Sequence, residues 1–252
     1  MKVIVEKAIG DNGKALWEEK FPLKLLLQKK REAGSVIFGM QYQNDAELAK
    51  GEIFKIEWIK FHNIPLSEEV NSSASGGKSP GTFSLEFYQG IDPAISRSSK
   101  ADYFALVTIG IDQNRQIFVV DAFHARLSFS QQLHTIEKKI VQFSPLVVGV
   151  EAVAYQEALS QSLRSVCRNL PDDAPAPAIR SVGQSKDKQT RALRLSALFE
   201  NGTLYLGKNQ NELLEELLLF PSGAHDDLID ALEIAVRVSQ RFKSACSTVP
   251  GI

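Results

Sequence analysis

The chain has 252 residues, 44% hydrophobic and 23% charged, enough to bury a sizeable core in one domain with or without an arm. A formal net charge of −1 excludes a global electrostatic signature for nucleic acid, so any such binding must rest on local patches. Two unpatterned cysteines, Cys167 and Cys246, argue against a disulfide framework or a thiolate metal site, and no apolar run approaches a membrane span; a soluble, intracellular protein is expected.

Met1 to Val5 reads as a short strand without a nearby partner, the tail of a preceding domain, and Asp11-Asn12-Gly13 as a turn. Phe21 to Ala33 has helical periodicity, with Phe21, Leu25 and Leu26 on one side and Gly34 as C-cap. Val36 to Gln43 and Glu52 to Ile59 are short apolar and aromatic pieces, with Trp58 as their anchor. Residues 66–81 are rich in Ser and Gly and form a polar connector between an arm, 1–65, and a core domain, 82–252. The connector contains Gly77-Lys78-Ser79. A phosphate-binding loop is rejected there, because Ser72 stands where that motif needs glycine and Pro80 would disturb the following helix.

From Phe83 to Asp121 three runs rich in β-branched and aromatic residues alternate with polar turns, the pattern of an antiparallel meander. The first, Leu85 to Ile91, ends on Asp92; Pro93 cannot donate to a ladder and leaves that carboxylate at the strand's lip. Ser128 to Gln142 is a helix with Ser128 or Ser130 as N-cap and Leu133, Ile136, Ile140 and Val141 toward the core. Leu146 to Val150 reads as a strand buried on both faces, ending on Glu151. A helix from Tyr155 to Arg168, a strand from Ala178 to Val182, a helix from Lys188 to Glu200, a strand from Thr203 to Leu206 and a leucine-rich helix from Asn211 to Phe220 follow. A last long helix runs from Asp226 to about Phe242. The order implies an α/β fold, a mixed sheet of meander plus parallel strands with helices on both faces.

The strand ending at Glu151 follows a helical crossover and can lie parallel to the one ending at Asp92. Neighbouring strands sit about 4.8 Å apart, so both carboxylates would emerge at one edge and repel unless cations intervene. Hard oxygen donors select magnesium or manganese. In the last helix Asp227 aligns with Ala231 and Ile234, an apolar face, and is the inward ligand. Asp226 aligns with Asp230, Glu233 and Arg237 on what reads as a solvated face, and is better suited to an N-cap or first-turn role, with Asp230 able to reach either side. Together these acids form a site for two metals, which would activate water and stabilise the leaving oxygen of a phosphodiester. Asp102 reads equally as a further oxygen ligand or a turn cap. His225 reads as a ligand, a proton shuttle, or a capping or surface histidine. His62, His124 and His134 show no ligand spacing and receive no role, and Glu157 is expected to be solvated.

The pieces YQGIDPA with ADYFALVTIG, VVGVEAVAYQ, SKDKQTRALRLSALFENGTLYL and HDDLIDALEIA, taken in order, resemble the nuclease domain of the large terminase subunit of tailed bacteriophages. ALWEEKFPLKLLL, FGMQYQND and GEIFKIEWI resemble the segment that joins the motor ATPase to that nuclease. The resemblance implies a ribonuclease H-like fold, with Asp92, Glu151 and an Asp of His225-Asp226-Asp227 as metal ligands. The family's motor motifs are absent, so the chain is not expected to be the translocating motor itself. Lys186, Lys188 and Arg191 match the family's basic motif and are candidate DNA-phosphate contacts, with Arg97 and Lys100 as weaker ones. Implied as well are a double-stranded DNA substrate, contacts with the motor ATPase, small terminase subunit and portal, a monomeric isolated domain and the cytoplasm of a bacterial host. A Holliday junction resolvase of the same fold and a non-catalytic module docking DNA or the portal are the rival readings.

Overall fold

The structure, a computed structural model, describes residues 6–45, 52–64, 85–93, 103–151, 156–168, 170–171, 174–183 and 187–246; for 156–160 and 241–246 it describes the backbone alone. Met1 to Val5, residues 66–81, Arg97, Lys100, Asp102, Lys186 and the Glu157 side chain lie outside the described residues. The described elements are α1 (Leu23–Tyr42), a 3₁₀ turn (Ile56–Trp58), β1 (Lys60–His62), β2 (Glu86–Asp92), β3 (Phe104–Ile111), β4 (Ile117–Ala125), α2 (Phe129–Phe143), β5 (Val147–Glu151), α3 (Gln156–Arg168), β6 (Ala178–Val182), α4 (Lys188–Glu200), β7 (Leu204–Gly207), α5 (Asn211–Leu219) and α6 (Asp227–Cys246). No helix among them is long and apolar enough to cross a membrane.

The strands form one seven-stranded sheet in the order β1-β7-β4-β3-β2-β5-β6. β2, β3 and β4 pair antiparallel as the expected meander. β5 lies parallel beside β2, with Ile91 opposite Val150, and β6 runs parallel beside β5. β7 lies parallel to both β4 and β1.

Alternation along the strands sends side chains to two cores. On one face Tyr88, Ala105, Val107, Ile109 and Val147 pack with α4, α5 and α6. On the other, Ile91, Leu106, Val148 and Val150 pack with Ile136 and Ile140 of α2 and Leu163 of α3. Helix α2 starts at Ser128, whose side chain and that of Gln131 form a capping box. Its buried row is Gln132, Ile136, Ile140 and Phe143; Leu133 packs against that core half-buried, while Val141, expected inward, is exposed.

Glycine decides how close α6 comes to the sheet. A Cβ on Gly90 would lie 2.0 Å from the Ala231 carbonyl oxygen and 2.4 Å from the Ala235 nitrogen, and one on Gly149 would lie 2.7 Å from Ile234 and Val238 methyls. Two strand glycines therefore let the helix backbone sit directly on β2 and β5.

Within the expected N-terminal arm, 1–65, Val36, Ile53, Phe54 and Ile59 join the core on the α4, α5 and α6 face. Gly34, with φ of 80°, breaks α1 as anticipated, but a second helical stretch resumes at once and continues to Tyr42. The break leans on α4: the Ser35 N–H donates to Glu200 (2.8 Å), and a Cβ at Gly34 would meet that of Ala197 at 2.7 Å. Phe54 is the buried anchor of the next stretch, edge-on to Phe199 and Phe220, while Trp58 is only partly buried. β1 then forms the sheet's edge.

Candidate active site

The site lies at one end of the sheet, on the α6 face. Asp92 is the last residue of β2 and Glu151 the last of β5, each one step beyond the Ile91–Val150 pair. Side chains two apart share a face, so Asp92 points the same way as Gly90 and Glu151 the same way as Gly149. Both carboxylates therefore emerge beneath the first turns of α6. On that helix Asp227 stands one turn before Ala231, the residue over Gly90, and Asp230 one turn before Ile234, the residue over Gly149. Two acids from strands thus meet two from the helix, and the strand glycines set their separation.

The electrostatics reflect this crowding. Burial first, then the charge of and a hydrogen bond with Glu151, and then the charges of Asp230 and Asp227 push the Asp92 carboxyl up to about 9. Burial likewise raises Asp230, opposed by the charges of Lys188 and Arg191. Asp227 is raised by burial against the pull of His124. Cations hold part of the cluster: Lys188 Nζ lies 2.5 Å from Asp226 and 3.0 Å from Asp230, and Arg191 reaches Asp230 (3.3 Å) and Glu151 (3.9 Å). Burial works against the Lys188 charge, but its bonds to Asp226 and Asp230 prevail and raise its pKa.

Three expectations need revision. The face carrying Asp226, Asp230, Glu233 and Arg237 is not solvated: Asp230 and Glu233 are both 6% exposed, and Asp230 meets Lys188 and Arg191 from α4. Arg191 is not presented outward to a phosphate. Its side chain is 5% exposed, aimed into the carboxylates, with Nε and Nη1 lacking hydrogen-bond partners among the described residues. Asp226 does not cap its helix through its side chain; the N–H groups of Leu228 and Ile229 donate to Glu216 of α5 (3.0 and 3.3 Å). Lys188, at 40% side-chain exposure, remains at the rim.

Two further residues join the site without a signal in the sequence. His124 pairs with Ala105, which pairs with Asp92, so the three form a row across β4, β3 and β2. The register shift between Thr108 and Ile109 leaves Val120 unpaired and alters the alternation of β4, which turns His124 to the α6 face. Its Nε2 lies 3.6 Å from Asp227 and its Nδ1 3.8 Å from Glu212, and burial lowers its pKa. His225 Nδ1 lies 3.9 Å from Asp227, and Tyr103 packs against both imidazoles. Glu216, pushed up to about 7 by burial, is the other addition.

A set of carboxylate oxygens with excess negative charge matches hard divalent cations in donor type. Among the described residues no three His, Cys, Asp or Glu side chains are grouped so as to hold an ion as they stand. The partners of Asp226 and Asp230 are the cations of α4, which takes those oxygens toward Lys188 and Arg191 instead.

The family model described as the terminase RNaseH-like domain matches residues 89–237. No curated protein matches the chain. Among solved structures the fold is similar to the large terminase nuclease of thermophilic phage G20c with bound zinc, with a TM-score of 0.51, 13% identity, and coverage of 74% of this chain and 98% of that one. The large terminase of the thermophilic bacteriophage D6E gives 0.57 at 11% identity, covering 85% of this chain and 52% of that protein, so this chain spans about half of it. The P22 large terminase nuclease domain gives 0.50 at 13% identity, covering 75% and 93%. At such identities the likeness is one of fold.

Proposed function

The chain belongs to the terminase RNase H-like domain family, and on that premise we propose that it is a metal-dependent endonuclease cutting double-stranded DNA with little sequence preference, in the cleavage of concatemers during phage genome packaging. The observation that carries this reading is the side-by-side placement of Asp92 and Glu151 at the same ends of neighbouring parallel strands, under the acidic first turns of α6. Asp92, Glu151 and Asp227 would hold two Mg²⁺ or Mn²⁺ ions, with Asp226 and His225 as further candidates. What such ions supply is activation of water and stabilisation of the leaving 3′ oxygen.

The chain's own side chains have separable tasks in this reading. Asp92, with Glu151 beside it and Asp227 and Asp230 on α6, would be the central ligand, and its raised pKa supports a site built to share a cation. Arg191 fixes the orientation of Glu151 and Asp230 from below. Lys188, at the rim, is the described cation best placed to exchange a carboxylate for a DNA phosphate. Residues 1–65 serve as the segment joining a motor ATPase to the nuclease domain, 82–252, and the small terminase subunit and portal are the remaining partners.

The test is cleavage by Asp92→Asn, Glu151→Gln and Asp227→Asn. Each should lose cutting while retaining the wild-type circular dichroism spectrum; persisting cleavage in all three would sink the assignment.

A further inference from the structure

Asp226 occupies the N-cap position of α6: its carbonyl accepts the first helical hydrogen bond, from the Asp230 N–H at 3.0 Å. An Asp there ordinarily turns its carboxylate onto the N–H groups of the second and third helical residues. In this protein those two groups, on Leu228 and Ile229, donate to Oε2 of Glu216, from α5, at 3.0 and 3.3 Å. Glu216 is 7% exposed, so the cap is buried, and its accepting oxygen faces the positive end of the helix. The Asp226 carboxylate, relieved of that task, bridges to Lys188 at 2.5 Å, and the same ammonium also holds Asp230 at 3.0 Å.

We propose that Glu216 is a positioning residue: by capping α6 from a neighbouring helix it releases Asp226 to the acid cluster and fixes the first turn on which Asp227 and Asp230 stand. The meaning of this arrangement for cleavage rests on the nuclease reading. The arrangement itself does not. Without Glu216 the vacant N–H groups lie beside an aspartate of the residue type most suited to bind them. Asp226 then turns back onto its own helix, Lys188 loses one of its two carboxylates, and the cluster loses an oxygen donor.

Two measurements on the full chain test this. The first is thermal unfolding in EDTA of wild type, Glu216→Ala, Asp226→Ala and the double variant. Asp226→Ala should change the melting temperature little in the wild-type background and lower it by about 2–4 °C in the Glu216→Ala background, where Asp226 has become the cap. The same shift in both backgrounds would overturn the proposal. The second is titration with Mn²⁺ by calorimetry. Glu216→Ala should weaken binding about tenfold, as loss of a support beneath a metal ligand does, and Glu216→Gln, which keeps an acceptor oxygen, should restore it. Equal weakening by Ala and Gln, or none by Ala, would also overturn it. A wild-type chain that neither binds Mn²⁺ nor cuts DNA would defeat the nuclease reading, while the metal-free unfolding cycle would still decide the role of Glu216.

Discussion

Replacing Asp92 by asparagine should stabilise the metal-free protein. In the folded chain burial and the neighbouring Glu151, Asp230 and Asp227 raise this carboxyl from 3.8 to about 9. The folded state therefore binds a proton that the unfolded state releases, and stability is lost progressively as pH rises from about 4 to about 9. At pH 7.5 the interval above 3.8, at about 1.36 kcal/mol per unit, bounds the loss at about 5 kcal/mol. Side-chain relaxation and water entry lower the effective cost, so a gain of about 1–3 kcal/mol is expected for Asp92→Asn. For a chain of this size that is about 3–10 °C in melting temperature. The assay is thermal unfolding of both proteins in EDTA across this pH range. The variant should be the more stable at pH 7.5, with the gap closing toward pH 4. A variant less stable than wild type at pH 7.5, or a gap indifferent to pH, would refute the reasoning.

Gly90→Ala should cost about 2–4 kcal/mol by urea unfolding, because the added methyl meets helix backbone at 2.0 and 2.4 Å and α6 has to lift. Cleavage should fall with it, since Asp227 and Asp230 ride on that helix. Arg191→Ala should lower stability by about 3–5 kcal/mol, measured the same way, because Glu151 and Asp230 lose a buried cation. A mere phosphate contact would leave stability unchanged and weaken only DNA binding.

Local chemistry made much of this molecule legible. Pro93 stops β2 and so puts Asp92 at its end, and the apolar run to Val150 puts Glu151 at the end of a buried strand. Ser128 with Gln131 announces the start of α2. What escaped depends on tertiary context. The periodicity of α6 distinguishes Asp227 from Asp226 and Asp230, but it cannot reveal that α4 covers the second face and supplies Lys188 and Arg191 there. A basic residue at a helix start looks like a phosphate contact, and only the packing reveals that Arg191 is buried among carboxylates. His124 is brought to Asp227 by a β-bulge, and Glu216 reaches α6 from another helix; neither is encoded in local spacing. The nearest available signals were Gly90 and Gly149, each two residues before a carboxylate at a strand end, marking where a backbone would approach.

Incubation of supercoiled plasmid with the purified chain in EDTA, Mg²⁺ and Mn²⁺, alongside Asp92→Asn, puts the nuclease assignment to the test. Nicking and linearisation should require the divalent ion and be lost in the variant. Cutting that survives in EDTA, or equal cutting by Asp92→Asn with either metal, would contradict the account.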